Sequence, residues 1–94
     1  MKAIIDGKLY DTATATAIIN FKRQVDKGLL GWNDKLRWTP MHLFTLYKTQ
    51  KGAYFEYDQD DQKIDLVSEK KARAIVQQLD PDKYIELYGA VEEG

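Results

Sequence analysis

The chain has no cysteine, one histidine, one serine and two prolines in 94 residues. Without cysteine there is no disulfide framework, no thiol nucleophile and no zinc-thiolate centre, and a reducing cytoplasm is the expected setting. Long apolar runs are missing too. The longest, Ala17 to Ile19 and Met41 to Tyr47, fall far short of the roughly 20 residues that span a bilayer. Asp6-Gly7 puts a charge and a turn where a secretion signal needs unbroken apolar sequence, so neither a membrane span nor export is expected. No glycine-rich phosphate loop occurs in either of its familiar spacings. A serine hydrolase would have to use both Ser68 and His42, and Ser68 lacks the surrounding Gly-x-Ser-x-Gly elbow. It sits instead where a helix needs a cap, and His42 falls in an apolar strand, so the expectation is a protein that is not an enzyme and takes no cofactor.

What is present is enough apolar residue, 44%, for one modest core, and the chain reads as a single domain over 1–94. The net charge of -1 conceals a dipole: residues 1–51 carry nine Lys/Arg against four Asp/Glu, whereas 52–94 carry five against eleven. Blocks of opposite sign govern which partners approach and where.

Lys2 to Ile5 and Lys8 to Tyr10, joined by Asp6-Gly7, read as an opening hairpin. Ala13, Ala17, Ile18, Phe21 and Val25 recur at helical spacing after a Thr12 cap, which predicts a helix over about 13–26 ended by Gly28. Leu29 to Pro40, with a glycine, an Asn-Asp pair, two tryptophans and a proline, reads as a long connection. Met41 to Thr49 and Ala53 to Asp58 predict a second hairpin whose first strand is apolar on both faces and therefore central. Ile64 to Val67 is a further strand. Ser68 then caps a helix with an Ala72, Ile75, Val76 and Leu79 stripe, and Asp80-Pro81 starts a last helix that Gly89 ends. The expected fold class is α+β, with a mainly antiparallel sheet of about three to five strands packed against an N-terminal helix and two C-terminal helices.

Asp58, Asp60, Gln62 and Glu69 fall at four ligand positions of a calcium loop, but Lys63 stands where that loop requires glycine, so no metal site is expected. Asp58, Asp60, Asp61 and Asp65, with Trp32 and Trp38, are instead the candidate partner contacts: a carboxylate surface could occupy a basic groove, and tryptophan is common at interfaces. The alternative is a small nucleic-acid-binding regulator using Lys22, Arg23, Lys27, Lys35 and Arg37, since cations beside aromatics suit phosphate contact and base stacking.

Three stretches, Lys2 to Ala15 (KAIIDGKLYDTATA), Leu46 to Tyr57 (LYKTQKGAYFEY) and Ile64 to Gly89 (beginning IDLVSEKKA and ending LDPDKYIELYG), resemble a family of small uncharacterised proteins from Gram-positive bacteria, their phages and mobile elements. The chain departs from that pattern between Tyr57 and Ile64 and over Leu29 to Pro40. The resemblance implies no activity and no site residues. It does imply a mobile-element setting, in which compact proteins act by occupying a host protein or protein–nucleic acid complex, as anti-CRISPR inhibitors do by analogy.

Overall fold

The computed structural model describes residues 1–28, 38–89 and 91–94. The elements run β1 (Lys2–Ile5), β2 (Lys8–Asp11), β3 (Thr16–Gln24), β4 (Met41–Lys48), β5 (Tyr54–Asp58), β6 (Lys63–Val67), α1 (Glu69–Leu79) and α2 (Pro81–Tyr88). β1 and β2 form a two-stranded sheet, and β3 to β6 form a four-stranded antiparallel meander in sequence order. Both helices among the described residues are C-terminal.

The N-terminal helix expected over 13–26 is not there; β3 occupies most of that span. The physical reason is a β-bulge. Ala17 pairs with Tyr47 and Ile19 with Leu46, which leaves Ile18 as the extra residue. Ile18 and Ile19 consequently both pack into the core under the helices, with Phe21 following two residues on. That sequence of inward residues imitates a helical stripe while the backbone is extended. Thr12 caps nothing: Asp11 accepts the Ala13 N–H through its side chain (2.9 Å) and the Ala15 N–H through its carbonyl (3.1 Å), closing a turn into β3.

The β1–β2 turn uses Asp6 and Gly7 at positive φ (52° and 76°), the backbone of a two-residue hairpin loop. The β3–β4 ladder continues past the strand ends, because Val25 N–H donates to the Pro40 carbonyl, Lys27 N–H to that of Trp38, and Trp38 N–H to that of Gly28. The expected long connection is therefore the far end of a β-arm at Trp38 to Pro40; Leu29 to Arg37 lie outside the described residues.

The meander has two faces. On one, Leu46 and Tyr54 meet Val67, Ala72 and Val76 to form the main core, with Ile75, Tyr84 and Tyr88 against it. Ser68 caps α1 by accepting the Lys71 N–H (3.1 Å), and Asp80 caps α2 by accepting that of Lys83 (3.1 Å). The Tyr54 and Tyr88 hydroxyls lie 2.9 Å apart, and burial together with that contact pushes the Tyr88 phenol above its ordinary 10.0. On the opposite face the β1–β2 hairpin packs Tyr10 onto Phe55 and Ile64, with the Tyr10 and Phe55 rings edge to face. The molecule measures 51 × 40 × 18 Å, with a Cα radius of gyration of 15.7 Å against about 12 Å for a compact domain of this length. It is a plate.

Candidate functional site

Beyond the apolar contact with α1, the helix-bearing face of the sheet carries charge. Antiparallel register sets Arg23 opposite His42, and Phe44 opposite both Phe21 and Asp58. Extending the β4–β5 register by two residues brings His42 opposite Asp60. The meander thus gathers side chains from positions 23, 42, 56 and 58–61 at one end.

Glu56, 3% exposed, receives Arg23 through both guanidinium nitrogens (3.2 and 2.6 Å), and Lys71 of α1 approaches to 3.5 Å. That fork geometry fixes both partners and makes the guanidinium hold its proton more firmly. Arg23 also lies over Phe44, 4.3 Å from the ring centroid, and Phe44 stacks on Phe21.

His42 and Asp58 are 6% and 5% exposed, and the imidazole Nδ1 lies 2.8 Å from Asp58 Oδ2. The other oxygen, Asp58 Oδ1, accepts the backbone N–H groups of Asp60 (3.0 Å) and Asp61 (3.1 Å). Burial raises the Asp58 carboxyl, but these three hydrogen bonds outweigh it and hold the group below the usual carboxylate range. Asp60 Oδ2 accepts the Leu43 N–H at 2.8 Å, which ties the acidic turn back to β4. Asp61 pairs with Lys27, and its Oδ2 also lies 3.9 Å from His42 Nδ1. His42, Asp58 and Asp60 each offer a ligand atom, all within 4.8 Å of one another.

The residues singled out from sequence are thereby redistributed. Asp58 is buried, Asp60 and Asp61 are exposed but engaged, and Asp65 lies on β6 with Lys63 3.8 Å away. Trp38 is half exposed on the β3–β4 arm, while Trp32, Lys35 and Arg37 lie outside the described residues. Of the other cations, Lys22 is exposed, whereas Arg23 and Lys27 are spent on Glu56 and Asp61. The opposite charges of the two halves of the chain meet across the sheet, so the segregation in sequence does not carry through to two separate faces here. Ser68 is the α1 cap.

Sequence reasoning missed the convergence of His42 on Asp58 and Asp60. The signal was available in hairpin arithmetic: a turn centred on Lys51 sets residue 42 against residue 60. The calcium-loop spacing runs forward along the chain toward Glu69, whereas the partner of Asp58 and Asp60 lies across the strand pair at His42.

Two apolar surfaces were also not anticipated. Ile4 and Leu9 are cross-strand partners on the outer side of the β1–β2 hairpin, 76% and 59% exposed. Leu79, Ile85, Leu87 and Val91 are likewise exposed around α2, which buries no residue fully. No helix among the described residues is long and apolar enough to cross a membrane. No protein-family model matches the chain, and neither a curated protein nor a solved structure matches it.

Proposed function

We propose that this chain is a non-enzymatic protein-binding module of a phage or mobile element that acts by docking on a host protein or protein–nucleic acid complex. The observation that carries the reading is the exposed Ile4/Leu9 pair on a thin plate, because apolar side chains left on the outer side of a small hairpin contribute nothing to the plate's own core. Asp60 and Asp65 are exposed carboxylates at the charged end of the meander, away from the hairpin, so the acidic candidates make a second contact rather than part of this one. The nucleic-acid alternative draws little from the geometry, since Arg23 and Lys27 are held by Glu56 and Asp61 and are not free for phosphate.

The test is affinity capture from a Gram-positive host lysate at physiological salt, comparing the wild type with an Ile4→Asp/Leu9→Asp variant whose fold is verified by circular dichroism. A discrete partner retained by the wild type and lost by the variant is the expected result. A partner retained equally by both would remove the hairpin surface from the proposal. Capture of nothing but DNA or RNA, released by moderate salt, would replace the docking reading with the nucleic-acid one.

A further inference from the structure

We propose that His42, Asp58 and Asp60 form a binding site for a divalent transition cation of the zinc or manganese type, with Asp61 at its margin. This goes beyond the docking reading and does not depend on it.

Three carboxylates gather around one buried imidazole. Asp58 Oδ2 is 2.8 Å from His42 Nδ1, Asp61 Oδ2 is 3.9 Å from it, and an Asp60 oxygen lies within 4.8 Å of both the imidazole and Asp58. A ring nitrogen carries at most one proton and can donate it to one acceptor. The hydrogen bond to Asp58 therefore accounts for one of the three carboxylates. Lys27 accounts for Asp61. Asp60 is left beside the cluster with the Leu43 N–H as its one partner among the described residues.

A dication would satisfy nitrogen and carboxylates together. Ligand atoms about 2.0–2.2 Å from a metal stand roughly 3–4 Å apart, and these donors, 2.8 Å apart at His42–Asp58 and all within 4.8 Å, reach that range by small side-chain rotations. The donors are also held in place. Asp58 is anchored by two backbone N–H groups and Asp60 by that of Leu43, so little side-chain freedom remains to be lost on binding. The donor chemistry selects the class: an imidazole nitrogen suits zinc and other first-row transition ions, whereas magnesium and calcium favour oxygen alone.

The experiment titrates the untagged 94-residue chain with ZnCl2, MnCl2 and, as the oxygen-preferring control, MgCl2, by isothermal calorimetry. The His42 ring nitrogens are followed by NMR, which is unambiguous because this is the single histidine. One equivalent of Zn2+ or Mn2+ is expected to bind in preference to Mg2+, and Zn2+ should move the His42 signals. Asp60→Asn should weaken binding by about tenfold or more. Asp60 is exposed, and asparagine keeps an oxygen for the Leu43 N–H, so this variant retains the fold. His42→Gln is the second variant, with its fold checked by circular dichroism. No binding at millimolar metal would overturn the site and leave His42–Asp58 as a hydrogen-bonded pair only. Equal binding by Asp60→Asn, or binding that leaves the His42 signals in place, would equally overturn it by showing an adventitious ion on surface acids.

Discussion

Changing Arg23 to methionine tests the charged end of the sheet most directly. Glu56 is 3% exposed and depends on Arg23 for two hydrogen bonds, with Lys71 a looser partner at 3.5 Å. Breaking a fully buried pair costs about 3–5 kcal/mol because it leaves an uncompensated charge. Arg23 is 42% exposed and Lys71 remains, so screening and partial compensation reduce this to about 2–3 kcal/mol. Loss of the guanidinium from the Phe44 face falls within that figure. The reverse change is asymmetric. With Glu56→Leu the bereft Arg23 can turn to water, and the cost is about 1 kcal/mol. The double variant should cost about the same as Glu56→Leu alone, which gives a coupling energy of about 2–3 kcal/mol. Urea unfolding followed by tryptophan fluorescence measures all three, and Arg23→Met should lower the Tm by roughly 10–20 °C in a domain of this size. If the two single variants cost the same and add within about 0.5 kcal/mol, the pair does not hold Glu56 in the fold and the reasoning fails.

Leu46 is fully buried between the sheet and the helices, so Leu46→Ala should cost about 2–5 kcal/mol in the same urea assay; a loss below 1 kcal/mol would mean that the core is not packed as described. Asp58 titrates lower in the folded chain than its ordinary 3.8, so its contribution is fully present above that value and is lost as pH falls through the lower, folded value. The stability difference between wild type and Asp58→Asn should accordingly shrink as pH falls below about pH 3.8. A difference that stays unchanged down to pH 2.5 would show that the His42 and backbone contacts do not favour the ionised carboxyl.

Much of the architecture could be read from local chemistry. Asp6-Gly7, the turn before Ala53, Ser68 ahead of Glu69 and Asp80 ahead of Pro81 each signal a boundary through a backbone requirement that few residues meet, and the structure places boundaries there. Residues 13–26 failed for a reason equally physical. Ile18 and Ile19 share one side of β3 because of a single extra residue, and periodicity alone cannot distinguish a bulged strand from a short helix. The charged end was legible only through pairing register. His42 and Asp60 are eighteen positions apart, and composition by halves of the chain concealed that the basic half was the partner of the acidic one.

That partnership has a consequence for the chain before it folds. An unfolded polypeptide with a cationic front and an anionic rear draws its own ends together, and the attraction acts over about 10 Å at moderate ionic strength. Arg23 and Lys27 would be biased toward Glu56 and Asp61 while β3, β4 and β5 are still searching for alignment. The lopsided distribution of charge would then serve as a guide for strand assembly, and added electrolyte should slow collapse before it weakens the finished molecule.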